Sequence, residues 1–374
     1  MQKLAIFGST GSIGTTTLRI VEENPELFSV VTLVAGRNIT KLIQQIKQFL
    51  PKHIYITSEE NARIVQNEFP TLDVYYGQDG LQQISQLEDS NIAISALVGI
   101  AGLEPTYHMI KHTKKVALAN KEVLVAGGEL IMRLAHECGT QLLTVDSEHS
   151  AIMQCLKGEE NNPIDKILLT ASGGPFFDKD INEKITVEQA LNHPTWSMGE
   201  KVTIDSSTMM NKGFEVIEAR WLFDVSPHKI EVVVHRQSLV HSMVQFKDGT
   251  IMANIGPKDM QIPIAYALNF PERLPNLVEK LDLFQIKNLC FEKPDMNKFP
   301  CLRLAFEAIK RGHSSQVVLN AANEVAVRKF LERRIKYTDI PVLIEQALQN
   351  HVDIQLHSIN DILLLDQEIK EKLV

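Results

Sequence analysis

Cysteine is scarce in this chain. Its 374 residues include only Cys138, Cys155, Cys290 and Cys301, with no Cys-x-x-Cys pair among them. A structural zinc site and a disulfide framework are therefore not expected, and a reducing compartment, the cytoplasm, fits best. Long apolar runs are also missing. Ile362-Leu363-Leu364-Leu365 is among the longest, far short of the roughly 20 residues a membrane helix needs, so no membrane association is expected. The opening Met1-Gln2-Lys3-Leu4-Ala5-Ile6-Phe7 runs straight into glycines without the apolar core or cleavage site of a secretory signal, and none is expected. There is no basic excess either. Acidic residues number 46 against 38 basic ones, a net charge of −8, which argues against a nucleic-acid partner.

What is present, 44% hydrophobic and 22% charged residues, is the composition of a folded globular protein. The length favours more than one domain, because single cores stop growing at about 250–300 residues. Strand-like runs at 3–7, 29–34, 53–57, 73–76, 92–97, 115–118 and 142–145 alternate with amphipathic stretches such as 15–23 and 122–137. That rhythm predicts an α/β fold whose N-terminal domain, residues 1–145, is doubly wound and Rossmann-like. Beyond Val145 the strand-like runs lie at 166–170, 229–235, 240–246 and 250–254, and Lys247-Asp248-Gly249 is a hairpin turn. Residues 146–270 therefore read as a second, α+β domain with a mostly antiparallel sheet. Prolines at 271, 275, 294 and 300 mark 271–300 as a linker, and residues 301–374 read as a C-terminal helical domain.

Gly8-Ser9-Thr10-Gly11-Ser12-Ile13-Gly14 follows the first strand and opens the first helix. Glycine lets the backbone approach a dinucleotide pyrophosphate, and free N–H groups at a helix start bind its charge. The spacing is GxxGxxG rather than GxGxxG, so the motif alone is only moderately specific, and a tight turn without a ligand is the competing reading. After the second strand an NAD site usually carries an acid. Here Gly36-Arg37-Asn38 offers a cation instead, which suits the 2′-phosphate of NADPH.

Asp146 and Glu148 stand two apart where the last strand of the first domain should end. On an extended segment they share a face and suit Mg²⁺ or Mn²⁺, although an isolated Asp-x-Glu is more often surface charge. Ser206, Ser207, Thr208, Asn211, Lys212 and Glu215 cluster around an apparent helix start. Hydroxyls, an amide and a lysine so placed are the donors of a phosphate cradle, and simple capping accounts for only the hydroxyls. Ser172 in the Ala171-Ser172-Gly173-Gly174-Pro175-Phe176 turn adds another hydroxyl. His193 and Trp196, in a polar segment running to Gly199 and Lys201, read as a lid with an aromatic cover.

Six motifs in order carry a resemblance. They are Gly8–Gly14, Leu118-Ala119-Asn120-Lys121-Glu122, Asp146-Ser147-Glu148-His149-Ser150, Ser172-Gly173-Gly174-Pro175-Phe176, the lid, and Asn211-Lys212-Gly213. Together they resemble the 1-deoxy-D-xylulose 5-phosphate reductoisomerase family. The similarity continues to Phe299-Pro300-Cys301-Leu302 and Asn320-Ala321-Ala322-Asn323-Glu324, covering essentially the whole chain. The resemblance implies rearrangement of a ketose phosphate and reduction of the product with NADPH to 2-C-methyl-D-erythritol 4-phosphate, in non-mevalonate isoprenoid biosynthesis. It implies Asp146, Glu148 and Glu215 as ligands of Mg²⁺ or Mn²⁺. Lys121, Ser147, Glu148 and Glu215 would face the reacting end of the substrate, with Lys121, Glu148 and His193 as catalytic residues. Ser172, His193, Ser206, Asn211 and Lys212 would grip its phosphate, and Trp196 of the lid would also contact the substrate. Gly8, Thr10, Gly11, Ser12, Ile13, Gly36, Arg37, Asn38, Asn120, Glu122 and Gly199 would line the NADPH site. The family often has lysine at position 37, where this chain keeps the charge as arginine. A homodimer is also implied.

Two other readings stay open at the level of sequence. One is a metal-independent NADPH reductase; the other is a non-catalytic NADPH sensor, which needs only the glycine turn.

Overall fold

The computed structural model describes residues 1–196, 198–275 and 278–374; Ser197 of the expected lid and Asn276 and Leu277 of the expected linker lie outside the described residues. Two compact units emerge. The first comprises Met1–Val123, Ile131–Ser147 and Asp259–Glu279; the second comprises Leu124–Leu130, Glu148–Lys258 and Lys280–Val374.

In the first unit seven strands form one sheet: β1 (Gln2–Phe7), β2 (Phe28–Ala35), β3 (His53–Ile56), β4 (Asp73–Tyr75), β5 (Ile92–Ser95), β6 (Lys115–Leu118) and β7 (Gln141–Thr144). The order is β4-β3-β2-β1-β5-β6-β7 and every pairing is parallel. The strands read as nearly unbroken apolar runs because both faces are covered, and Leu4, Ile6, Ile92 and Ile94 are at most 1% exposed. Helices α1 (Ser12–Glu23), α2 (Ile39–Phe49), α3 (Glu59–Glu68), α4 (Gly77–Ser85) and α5 (Leu103–His112) alternate with the strands, and α6 (Lys121–Cys138) leads from β6 to β7. The chain winds outward from β1 to β4 and resumes at β5 on the other side of β1. That reversal opens a crevice beyond the C-terminal ends of β1 and β5, where open α/β sheets bind ligands. The expected doubly wound architecture is present.

The longer part of the second unit starts in α7 (Ser147–Leu156), whose first residue belongs to the first unit. Its sheet contains β8 (Ile164–Ala171), β9 (Ile230–Val234), β10 (Val240–Phe246) and β11 (Ile251–Ile255), ordered β11-β10-β8-β9. Two pairings are antiparallel as expected, but β8 and β9 run parallel, so the sheet is mixed. Lys247-Asp248-Gly249 does form the β10–β11 hairpin, with Gly249 at φ +90° and Asp248 accepting the Thr250 N–H at 2.8 Å. Helices α8 (Val187–Leu191), α9 (Glu200–Ser207) and α10 (Met210–Leu222) lie between β8 and β9. The core joins Ile152 of α7, Ile167 and Leu169 of β8, Val216 and Ala219 of α10, and Phe299 and Leu302.

Helix α11 (Gln261–Asn269) clusters with the first unit and packs on α1. Residues 280–299 carry only a 3-10 turn at Leu283–Gln285 and a bridge from Glu292 to Val234. Four helices then follow: α12 (Pro300–Arg311), α13 (His313–Leu331), α14 (Asp339–Gln349) and α15 (Ile359–Leu373). Helix α13 is covered by α12, α14 and α15 and also touches α9, so even its polar Ser314, Gln316, Asn320 and Asn323 are buried. On α6, Gly128 leaves room for the indole of Trp221, and a Cβ there would overlap the ring. That indole donates to Gln316 at 3.3 Å and meets the His313 ring edge-on. Among the described residues, no helix is long and apolar enough to cross a membrane.

Candidate active site

The first unit supplies a nucleotide turn. Gly8 sits at φ +97°, and a Cβ there would overlap the Ala96 carbonyl at the end of β5. A Cβ on Gly14 would overlap the backbone of Gly8 and Ser9. Both glycines are therefore needed for the β1–α1 junction to close this tightly. Gly11 caps α1 without any side-chain acceptor, so the helix start keeps N–H groups for an anion. Two residues that the sequence reading passed over hold the turn. Lys41 Nζ donates to the Thr10 carbonyl at 3.1 Å and Gln45 Nε2 to that of Ser9 at 2.9 Å. Their spacing of four on α2 places them on one helix face, which was a usable signal.

Gly36 and Arg37 follow β2 and are exposed, and space around Gly36 is open. Asn38 accepts the Lys41 N–H at 3.0 Å, so its side chain caps α2. Asn120 is buried and occupied within the protein. Its Oδ1 accepts the Val123 N–H at 3.1 Å, and its Nδ2 donates to the carbonyls of Leu97 and of Gly99, the latter at 2.9 Å. It shapes the loop after β5 through side-chain bonds. Lys121, the first residue of α6, is paired with Asp146, and Glu122 beside it is buried.

Asp146 and Glu148 do not share a strand. β7 stops at Thr144 and α7 begins at Ser147, so Glu148 sits in the first turn of a helix, where a carboxylate is favoured by the helix dipole. Within the second unit Glu148 meets α10. Carboxylate oxygens of Glu148 and Glu215 lie within 4.8 Å of one another, and Lys212 Nζ is 3.8 Å from Glu148 while also pairing with Glu215. Asn211 donates to the other Glu215 oxygen at 2.6 Å. Glu215 is 1% exposed and Lys212 6%, so the two charges compensate each other away from water. His149, absent from the sequence-level site, fastens this arrangement: its Nε2 lies 2.9 Å from the Glu215 carbonyl, its Nδ1 3.6 Å from Glu218, and the ring is wholly buried. It joins the first turn of α7 to the helix that carries Glu215.

The hydroxyls expected at a helix start stand at the junction of two helices, and Thr208 Oγ accepts the Met210 N–H that opens α10 at 3.3 Å. Ser206 and Ser207 close α9, Thr208 follows, and Met209 takes a left-handed φ of +61° before α10 begins at Met210. The left-handed Met209 redirects the chain between the two helices. Ser207 bonds the Ile204 carbonyl and Thr208 the Asp205 carbonyl, which leaves Ser206 as the hydroxyl of the three for a ligand. Asn211 and Lys212 do occupy the first turn of α10, as expected.

Against this turn rests the glycine turn after β8. Gly174, at φ +67°, approaches so closely that a Cβ would come within 2.8 Å of the Ser206 carbonyl. Ser172 Oγ accepts the Gly174 N–H at 3.3 Å and lies 3.3 Å from His193 Nε2. His193 Nδ1 accepts the N–H groups of Thr195 and Trp196 at 3.1 and 2.9 Å, so a neutral ring carries its proton on Nε2, facing Ser172. Burial, and after it the Arg236 guanidinium, hold this imidazole below its ordinary pKa. Trp196 is half-buried, and Gly199 caps α9 with open space around it. The second unit thus gathers Ser172, His193, Ser206, Asn211, Lys212, Glu148 and Glu215 around one helix–helix turn.

All four cysteines are free. Burial pushes the Cys155 thiol up to about 11 and Cys301 to about 12, which makes both poor nucleophiles.

Residues 4–128 match the family described as 1-deoxy-D-xylulose 5-phosphate reductoisomerase. Residues 142–223 match its C-terminal domain, and 255–372 match the DXP reductoisomerase C-terminal domain. The chain is 48% identical to 1-deoxy-D-xylulose 5-phosphate reductoisomerase of Clostridium perfringens, over 99% of this chain and 98% of that one. It is 50% identical to the enzyme of Chloroherpeton thalassium, over 99% and 97%. Among solved structures, DOX-P reductoisomerase in complex with NADPH, fosmidomycin and magnesium superposes with a TM-score of 0.94 at 38% identity, covering 100% of this chain and 97% of that one. The Zymomonas mobilis enzyme in complex with NADPH gives 0.92 at 38% identity, covering 100% and 98%.

Proposed function

This chain belongs to the 1-deoxy-D-xylulose 5-phosphate reductoisomerase family, and from that premise we infer how its own residues divide the work. It converts 1-deoxy-D-xylulose 5-phosphate to 2-C-methyl-D-erythritol 4-phosphate with NADPH, a step of non-mevalonate isoprenoid biosynthesis. Skeletal rearrangement gives an aldehyde; a hydride from NADPH and a proton then complete the alcohol. The observation that carries the reading is the meeting of Glu148, Lys212 and Glu215 around the α9–α10 turn.

The donor set fits a hard divalent cation. Glu148 and Glu215 offer only carboxylate oxygens, and Asp146, two residues before Glu148, is tethered within about 7 Å of it by the length of the chain. Asp146, Glu148 and Glu215 hold Mg²⁺ or Mn²⁺. Bound there, the cation supplies Lewis acidity to the carbonyl and neighbouring hydroxyl of the substrate. Lys121, Ser147 and Glu148 orient that end, and Lys121 offers a proton donor beside Asp146. Ser172, His193, Ser206, Asn211 and Lys212 bind the phosphate, with the His193 Nε2–H and the Lys212 ammonium as the charged or polarised donors. Trp196 covers the site when the His193–Gly199 segment closes and water is excluded. Gly8, Thr10, Gly11, Ser12 and Ile13 bind the NADPH pyrophosphate, Arg37 its 2′-phosphate, and Gly36, Asn38, Asn120, Glu122 and Gly199 the remaining surface.

The active form is a homodimer. The outer edge of β11 supports this, since among the described residues it pairs with no further strand and it carries exposed Ile251 and Ile255. The enzyme works in the cytoplasm, where its four free thiols stay reduced.

The test is NADPH consumption with the ketose phosphate, with and without added Mg²⁺ or Mn²⁺. Turnover only with a cation supports the reading. Turnover in full after exhaustive chelation would leave a metal-independent reductase, and NADPH binding without turnover a sensor.

A further inference from the structure

Two buried hydrogen bonds tie the C-terminal helices to the back of the phosphate-binding turn. Asn323, in the middle of α13 and 0% exposed, donates its Nδ2 to Asp205 Oδ1 at 2.8 Å. Asp205 is 1% exposed, lies in the last turn of α9, and takes a second partner in Lys201 at 2.8 Å. Tyr337, between α13 and α14, donates its hydroxyl to the Ser207 carbonyl at 2.7 Å. Its ring packs edge-on against Phe176 at 5.1 Å and Phe330 at 5.7 Å. Phe176 closes the same glycine turn that carries Ser172. Tyr337 therefore braces both walls at once: through its ring the Ser172 turn, through its hydroxyl the turn that presents Ser206.

That turn needs bracing. Met209 is a non-glycine residue in the left-handed region, a conformation that persists only where its surroundings hold it. The glycine turn meets it at a separation where a single methyl group would collide with the Ser206 carbonyl. Ser207 adjoins Ser206, and Asn211 and Lys212 follow in the first turn of α10, so the position of the Ser207 carbonyl bears on all three. The α9–α10 turn is made mostly of its own local bonds, such as Met209 N–H to Ser206 carbonyl at 3.2 Å and Thr208 N–H to Ile204 carbonyl at 3.0 Å.

We propose that Asn323 and Tyr337 are positioning residues of the C-terminal helices that set the geometry of the phosphate-binding turn, acting through Asp205 and the Ser207 carbonyl. The proposal rests on the reading of Ser206, Asn211 and Lys212 as phosphate ligands. It assigns the helical region a part in substrate recognition, with no residue of its own touching the substrate. The expected signature is selective. Loosening the turn weakens the grip on the remote phosphate, while the nucleotide turn of the first unit is untouched.

The experiment compares Tyr337→Phe, which keeps the edge-on ring contacts, and Asn323→Ala with Lys212→Ala. Each is assayed for kcat and KM with 1-deoxy-D-xylulose 5-phosphate and with its dephosphorylated form, for NADPH binding, and for melting temperature. Losing one buried hydrogen bond at the turn is expected to raise KM for the phosphorylated substrate by about fivefold to tenfold, with kcat and NADPH affinity nearly unchanged. The dephosphorylated substrate should be affected much less. If Asn323→Ala does not fold, Tyr337→Phe decides alone. Unchanged KM, or parallel losses with both substrates, in a folded Tyr337→Phe variant overturns the proposal. Lys212→Ala separates the two ideas. If it discriminates between the substrates and Tyr337→Phe does not, only the positioning role fails; if neither discriminates, the phosphate reading itself has failed.

Discussion

His193 faces Ser172 with Nε2 3.3 Å from Oγ, while its other nitrogen is filled by two backbone N–H donors. A protonated ring would turn Nδ1 into a third donor aimed at two others. The fold therefore favours the neutral form, in agreement with a pKa lowered by burial and, secondarily, by Arg236.

The sign of the pH dependence follows. A histidine whose folded pKa is depressed contributes its full stability above the unfolded value of about 6.5, and loses it as pH falls through the lower folded value. Below about pH 6.5 the wild-type melting temperature should fall more steeply than that of His193→Gln, which has no ring to protonate. Thermal melts across pH 4.5 to 8, taken as a range of about that width around the imidazole value, read this out. Parallel curves would mean that His193 is not held neutral by its surroundings.

Replacing the acids should separate metal binding from folding. Glu148→Gln and Glu215→Gln, together with Asp146→Asn, are each expected to weaken Mg²⁺ or Mn²⁺ binding in calorimetry and to abolish most turnover, leaving NADPH binding intact. They should differ in stability. Glu215 is buried against Lys212, so its amide leaves that buried cation with only the more distant Glu148, at a cost on the order of 3 kcal/mol. Glu148 is more open, with 18% of its side chain exposed and Lys212 at 3.8 Å, and its amide should cost clearly less. Wild-type cation affinity in all three variants would overturn the metal assignment.

Cofactor preference should be governed by Arg37, an exposed cation directly after β2. Arg37→Asp should lower the ratio of kcat/KM for NADPH over NADH by about tenfold or more, because a carboxylate repels the 2′-phosphate that the guanidinium binds. A ratio unchanged by the substitution would shift attention to Lys41, which already touches the turn at Thr10.

Gly174→Ala tests the contact between the two turns of the second unit. Alanine there meets both an unfavourable φ of +67° and the Ser206 carbonyl. Strain of about 1–3 kcal/mol is expected, with a raised KM for the phosphorylated substrate. A variant with wild-type melting temperature and wild-type KM would show that the two turns yield independently.

The legible parts were those in which local pattern and tertiary role coincide. Strands such as β1 and β5 are apolar along their length because a parallel sheet is covered on both sides, and the glycines of the first turn announce the tight junction they make. Glu148 was misplaced onto a strand because alternation in Asp146-Ser147-Glu148 looks extended, whereas Ser147 starts a helix. The hydroxyls at 206–208 mark the start of α10, which Thr208 bonds at Met210, but local pattern does not show that Ser206 and Ser207 also close a preceding helix. The bond from Asn323 to Asp205 crosses 118 positions, and that from Tyr337 to Ser207 crosses 130. Nothing within a window of neighbouring residues encodes such pairings, because they arise only once α13 is packed against α9.

The indole of Trp221, seated over Gly128, gives the protein an optical property. Only two tryptophans are present, and this one is held by Gln316, the His313 ring and the Arg220 guanidinium 5.1 Å away. These contacts predict an emission that changes little on ligand binding. Trp196, in the segment beside the phosphate ligands, is the other emitter. A change in intrinsic fluorescence on adding ligand is thereby assigned to a single position, and the unlabelled enzyme carries both a reporter and its own internal standard.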